Sequence, residues 1–383
     1  MTDSSAIPGA ANRLWSRLAS AALSLCWLGS VQVLWRCYVE GGQKWLQGDW
    51  LINLAAGPVR RGPLGETLLR LADLGGIAPL TLVLGLQLAL ATVLFAVSGW
   101  LIWRRCQPAL VPLVLSAGFF AVLWTADPMA GFRKEILPLA GIALVALPGG
   151  GTARLILTAG LMVAGAWGHE IGVLMLPAWG IALYLLPPAV SRGMLRAVVG
   201  VTFALGALAA IYALRHPALA DAGPVCAAIR LRQSLGPQFC TGAIAWLADA
   251  GNGPHAVRVA LANSVNVQLL PLSIAAAFAP LAGLCWHLRQ DRGRLVLLAV
   301  AITPLCLLYP VALDWGRWVS AQVTVASLML MGLDAAGRLP ALRPPRAVTC
   351  LLWLIVGVSA GLTTMTEVVP NALLRRILFG FAI

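Results

Sequence analysis

The chain repeats one pattern from end to end: long apolar runs separated by short charged loops. A helix needs ~20 mostly apolar residues to cross the ~30 Å hydrocarbon core of a bilayer. Apolar runs fall at 18–35, 77–103, 109–126, 136–148, 155–168, 171–187, 197–214, 269–288, 295–313, 319–335 and 347–366. Only 11% of the 383 residues are charged, against about a quarter in soluble domains. Composition therefore excludes a soluble enzyme and a disordered chain. The expected fold is all-α: a polytopic transmembrane bundle of about eleven spans, forming one integral membrane domain over 1–383. No 20–50-residue repeat is visible, and no linker divides the chain.

The net charge is +13, but its basic residues lie in short clusters between apolar runs rather than along a stripe that could follow nucleic acid. Arg greatly outnumbers Lys, which with the Ala, Gly, Leu and Pro content fits a GC-rich bacterial genome. Arg13 and Arg17 precede the first run, and no small-residue cleavage site follows it, so it reads as a retained helix behind a cytoplasmic N-terminus, 1–17. Counting loops from there places Arg and Lys more densely in the inner loops. The inner side then holds only Asp3, Asp291 and Asp334 of the 14 acids. The other acids fall among outer basic residues, so the outer loops read as a mixed-charge site in the periplasm.

The runs 136–148 and 155–168 cover only ~20 Å as helices. Merging 155–187 into one helix would bury His169 and Glu170 in mid-membrane, which is costly without partners. A break at His169-Glu170, opening into an outward cavity, is the preferred reading, because broken helices persist where they line a cavity.

Five stretches carry candidate chemistry. The first outer loop, 36–76, contains Asp49, Trp50 and the run Gly57-Pro-Val-Arg60-Arg61-Gly62-Pro-Leu-Gly65-Glu66. Paired guanidiniums make bidentate contacts to phosphate oxygens, although lipid headgroups would attract the same residues. Residues 64–75 follow with Leu64, Leu68, Leu71 and Leu74 on one face, the period of an interfacial helix. Arg133 and Lys134 stand between two runs, with Glu135 as a local partner. His169-Glu170 opens like a zinc-protease motif, but residue 173 is Val and the second His is missing. A carboxylate beside an imidazole can serve as a base, or the pair can be satisfied within a Gly168-x-x-x-Gly172 packing element. Asp314-Trp315-Gly316-Arg317-Trp318 interrupts two runs. Its indoles fit either an aromatic belt or sugar stacking, and Asp314 and Arg317 can pair locally.

In the largest outer loop, 215–268, Cys226 and Cys240 are placed to form a disulfide in an oxidising compartment. The other cysteines form no C-x-x-C. No phosphate-binding loop or dinucleotide fingerprint occurs. No cofactor is required by any motif, although Asp49 and Asp314 are residue types that bind Mg²⁺.

The order Arg-Arg-Gly-x-x-Gly (60–65), Arg-Lys-Glu (133–135), His-Glu (169–170), a Cys-bounded loop and Asp-x-Gly-Arg-Trp (314–318) resembles multi-pass proteins of bacterial surface-polysaccharide clusters. These are Wzy-type polymerases and the broader GT-C membrane glycosyltransferases. The resemblance covers the order of elements over most of the chain. It implies a polyprenyl-(di)phosphate-linked sugar donor, a glycan acceptor, arginines that hold phosphate, and a carboxylate base. Asp49 and the helix at 64–75 match an acidic first outer loop followed by an interfacial helix. The double-acid motif is missing, since Gly48 and Trp50 flank Asp49, so the base stays open among Asp49, Glu170 and Asp314, with His169 beside them. Arg60, Arg61 and Arg317 correspond by type to the outer-loop arginines of Wzy-type polymerases, Arg133 and Lys134 would add to the phosphate site, and Trp50, Trp315 and Trp318 would stack on sugars. A transporter or flippase of a lipid-linked glycan would use the same arginines without a base. A scaffold for an assembly complex would make no single outer charge essential.

Overall fold

A computed structural model describes residues 10–104, 106–248, 252–263, 265–343, 346–362 and 368–370. The fold is built from helices: α1 (Ala10–Val39), α2 (Gly62–Gly75), α3 (Pro79–Arg104), α4 (Val111–Val114), α5 (Phe120–Ala126), α6 (Ile136–Ala146), α7 (Thr152–Gly168), α8 (Glu170–Leu174) and α9 (Leu176–Leu185). There follow α10 (Arg192–Arg215), α11 (Gly223–Arg230), α12 (Asn252–Asn263), α13 (Val265–His287), α14 (Arg292–Ile302), α15 (Trp315–Ala335) and α16 (Ala347–Ser359). The expected all-α fold gains one small exception, an antiparallel ribbon pairing Ala360–Leu362 with Val368–Pro370.

Among the described residues, four helices are long and apolar enough to cross a membrane: α1, α3, α10 and α15. Several other runs fold as shorter pieces. The run 109–126 divides into α4 and α5. A broken helix leaves backbone donors without intrahelical partners, and here side chains supply them. Thr324 Oγ1 accepts from the Phe120 amide at 2.9 Å, and Ser116 Oγ accepts from the Gly118 amide at 3.1 Å. Gly118 permits this close fit, because a Cβ there would lie 2.9 Å from Val323 and 3.0 Å from Ala277. The run 295–313 is α14 followed by a 3₁₀ stretch, Thr303–Leu308. The run 347–366 ends its helix at Ser359, and residues 363–366 lie outside the described residues.

The core is centred on α15, whose apolar window is 94% buried, whereas that of α10 is 17% buried at the periphery. This explains why α15 tolerates Ser320, Gln322, Thr324 and Ser327: all are buried against protein rather than lipid.

The loops gather at two ends. At one end Gly236 donates to Gly41 O (2.8 Å), Ala243 to Lys44 O (3.1 Å) and Arg60 to His216 O (2.8 Å). At the other, Gln107 Nε2 donates to Asp334 (2.6 Å), and Ala189 donates to Gly150 O (2.6 Å). The helix in the first long loop forms, as α2. It buries Gly65, Leu68, Leu69 and Ala72, and leaves Leu71 and Leu74 exposed. Leu71 and Leu74 of the leucine stripe thus face away from the protein, as an interfacial helix requires.

Candidate functional site

The first loop runs inward as a chain of tight turns. Gln43 Oε1 accepts from the Trp45 and Leu46 amides at 2.6 and 2.7 Å, which fixes the 43–50 segment. Asp49 ends up 1% exposed. Trp50 is equally buried, and its Nε1 donates to Phe132 O at 2.8 Å. Gln87 of α3 donates to the same carbonyl at 2.7 Å, so the loop carrying Arg133 and Lys134 is pinned beside Asp49. Arg61 is the N-terminal flanking residue of α2 and takes φ +67°, a left-handed conformation that costs a non-glycine residue about 1–2 kcal/mol. The Lys134 ammonium donates to the Arg61 carbonyl at 3.1 Å and holds it there.

The break between α7 and α8 falls at the expected place. His169 is extended, and its Nδ1 accepts from the Ile171 amide at 3.3 Å, capping α8. Glu170 Oε2 then receives Arg61 Nη2 and Nε, both at 2.9 Å, and Glu170 Oε1 lies 3.4 Å from Arg60. Arg61 also approaches Asp49 at 3.5 Å. The Gly168/Gly172 element does not act as one packing face. Gly168 faces Leu64 and Lys134, while Gly172 meets the backbone of Gly165.

The second half of the site is built on the start of α15. Arg317, 2% exposed, donates to Glu135 Oε1 from Nε (3.0 Å) and Nη2 (2.8 Å), and from Nη1 to Asp314. Arg133 reaches Asp314 at 3.5 Å. The local Asp314–Arg317 pair exists. Glu135, expected as a neighbour's partner, instead joins Arg317 from 182 residues away. The halves meet where the His169 and Trp318 rings stand 6.4 Å apart, with the Arg317 guanidinium 4.9 Å over Trp318.

The structure thus brings Asp49, Arg60, Arg61, Arg133, Lys134, His169, Glu170, Asp314 and Arg317 to one end of the bundle. Five cations face four carboxylates once Glu135 is included. Burial pushes the Asp49 carboxyl up, but Lys134, Arg61, Arg133 and Arg317 outweigh it and hold it below its ordinary range. Burial pushes Lys134 down to about 8 against the pull of Asp49. Burial, with the fields of Arg61 and Arg317, keeps His169 well below its ordinary value and therefore neutral. His169 thus caps α8 while its Nδ1 also lies 3.1 Å from Glu170 Oε2.

The three tryptophans expected to stack on sugars are placed otherwise. Trp50 and Trp318 are fully buried, and Trp315 donates to Tyr309 O at 2.8 Å from a buried position. The aromatic surface at this end comes from residues that sequence reasoning passed over: half-buried Trp45, with the Arg133 guanidinium 5.3 Å over its ring, and exposed Trp246 packed edge-on to it. At His169-Glu170, where an outward cavity is expected, the charged side chains form this ionic network, in which Glu170 keeps about a quarter of its side chain exposed. Among the described residues no three His, Cys, Asp or Glu side chains converge as a metal would require. The Cys226–Cys240 disulfide is present, with Cα atoms 6.1 Å apart. It ties α11 to the segment whose Phe239 packs on Gly42, while Arg232 grips Asp73 with two 2.7 Å bonds. The large loop is thereby fastened over the first one. No protein-family model, curated protein or solved structure matches this chain.

Proposed function

We propose that the chain is a membrane glycosyltransferase or polysaccharide polymerase that uses a polyprenyl-(di)phosphate-linked sugar. It would act on a glycan acceptor at the outer face of a bacterial inner membrane, with the N-terminus cytoplasmic and the shorter helices completing about eleven full or partial crossings. One observation carries the reading. Glu170 and Asp314 are each gripped by two arginines at one end of an apolar helical bundle, inside a cluster with one cation in excess. Ion pairing alone would not call for that excess, which suits a polyanion.

In this reading the donor's phosphate exchanges with Glu170 for the Arg60 and Arg61 guanidiniums. The released carboxylate takes the acceptor hydroxyl proton. The hydroxyl oxygen bonds to the anomeric carbon, and the bond from that carbon to the phosphate oxygen breaks. The electron pair leaves on the phosphate, where the arginines stabilise it. Glu170 is preferred over Asp49 as base because about a quarter of its side chain is exposed, against 1% for Asp49. Asp49 is too deeply buried to reach an acceptor and serves as countercharge to Lys134 and Arg61.

The test is transfer from a polyprenyl-diphosphate sugar by purified protein, with lipid binding measured alongside. Glu170→Gln should abolish transfer and retain binding, while Arg60→Ala should weaken both. Transfer that survives in Glu170→Gln but stops in Asp314→Asn would move the base to Asp314. Binding that depends on Arg60 with no transfer by any variant would establish the flippase reading instead.

A further inference from the structure

A groove of about 750 Å³ runs between α2, α7 and α10. Its walls include Leu64, Gly160, Val163, Trp167, Val201 and Leu205, and no charged side chain lines it. Along α7 it extends from Ile156 to Trp167, which at 1.5 Å per residue is ~16 Å, half the hydrocarbon core. Its α2 end adjoins the ionic cluster through neighbouring residues. Trp167 packs at a tilt against Tyr212 (5.7 Å), Tyr212 likewise against His216 (4.8 Å), and the His216 carbonyl accepts from the Arg60 amide. Leu64, a groove wall, packs on Gly168 beside His169. Arg60 stands three residues before the groove-lining Pro63, about a third of its side chain is exposed, and its Nε has no hydrogen-bond partner among the described residues.

We propose that this groove holds the single prenyl chain of the lipid-linked donor, entering sideways from the bilayer past α10, with its phosphate on Arg60. The assignment rests on the reading above. An uncharged, mostly apolar groove beside a partly exposed guanidinium is complementary to an amphiphile with an anionic head and an uncharged tail. A donor activated as a soluble nucleotide would leave the groove unused.

Gly160 supplies the test, because a Cβ there meets no atom within 4 Å. Gly160→Phe therefore starts its side chain in open space on the groove wall. Gly85→Phe on α3 likewise points into open space, away from the groove, and serves as the control. Binding of undecaprenyl phosphate and of geranyl phosphate to the purified full chain would be measured directly. Gly160→Phe should weaken the long-chain ligand about tenfold or more while changing the short-chain one by less than about twofold; tenfold corresponds to about 1.4 kcal/mol. Gly85→Phe should change neither. Unaltered undecaprenyl phosphate binding in Gly160→Phe, or equal competition by dioleoyl phosphatidate, would overturn the proposal and make the groove a site for bulk lipid. So would failure of the parent to bind undecaprenyl phosphate. Transfer activity is scored separately. If the binding pattern holds without transfer, the enzyme reading falls and the chain site stands; if transfer proceeds unchanged in Gly160→Phe, the chain site falls alone.

Discussion

Arg61 concentrates several demands on one residue. Its φ of +67° is of the kind glycine adopts freely, yet its guanidinium bridges Glu170 and Asp49 while its carbonyl is held by Lys134. Strain kept at such a position is a mark of function. Arg61→Ala loses the ion pairs and keeps the strain, whereas Arg61→Gly loses only the pairs. Thermal unfolding in detergent should therefore rank the Gly variant above the Ala variant by about 1 kcal/mol, and the reverse order would show that the backbone relaxes once the side chain is gone. Asp49→Asn removes the carboxylate from a buried cluster and leaves Lys134 uncompensated, a loss of about 3–5 kcal/mol, visible as a fall in thermal midpoint of several degrees. Lys134 sets a pH dependence. Its folded pKa of about 8 lies below the unfolded value of about 10.4, so between those values the unfolded chain binds more protons and stability rises with pH. The parent minus Lys134→Met difference in thermal midpoint should be constant below pH about 8 and change in the parent's favour above it; a flat difference up to pH about 10 would refute the buried-ammonium assignment. Lys134 was readable from sequence because it stands between two apolar runs, and Asp49 and Arg61 because they crowd one charged outer loop. Their pairing was not: Glu135 and Arg317, or Arg61 and Glu170 at 109 residues' separation, meet only through the fold.

At the scale of the element, α2 has two apolar faces: Leu71 and Leu74 stay exposed, as a helix lying in an interface requires, while Gly65, Leu68, Leu69 and Ala72 are buried. Counting leucines selects 64, 68, 71 and 74. The packed face runs through Gly65, which carries no side chain and so adds nothing to an apolar count. Gly65 matters through closeness: a Cβ there would stand 1.8 Å from Ile52 O, whereas one at Gly75 meets nothing nearer than 3.6 Å. Gly65→Ala should lift α2 from the 50–52 segment, lower the thermal midpoint and loosen Arg61. Gly75→Ala should leave it unchanged or raise it slightly, by up to about 1 kcal/mol. Equal effects of the two would mean that α2 is not seated on that segment. The α7–α8 break was legible because a His-Glu pair is too polar to lie inside a span. The α4–α5 break was not, because its backbone is satisfied by Ser116 and Thr324, which are unremarkable hydroxyls in a sequence.

Across the whole molecule, the separation of loops into two ends gives a topology that can be tested without any substrate. Ala55 and Pro310 lie with the ionic cluster, and both are exposed; Gly151 and Ala336 are exposed at the opposite end, beside Gly150 and Asp334. Between Ala55 and Gly151 the chain passes through α3, the α4–α5 pair and α6, an odd number of traverses; one further traverse, α15, separates Pro310 from Ala336. With each of these taken as one crossing, as the proposed topology has it, the two pairs are expected on opposite sides of a bilayer, whichever side is which. Single cysteines at these four positions can be introduced after replacing the six free cysteines and keeping Cys226–Cys240. A membrane-impermeant maleimide applied to intact cells should modify Ala55→Cys and Pro310→Cys, and should reach Gly151→Cys and Ala336→Cys only after permeabilisation. Labelling of the second pair alone would invert the orientation and put the ionic cluster in the cytoplasm, where the donor would be met before export. Labelling that split either pair would break the parity, and with it the arrangement in which residues from five separate loops share one membrane face.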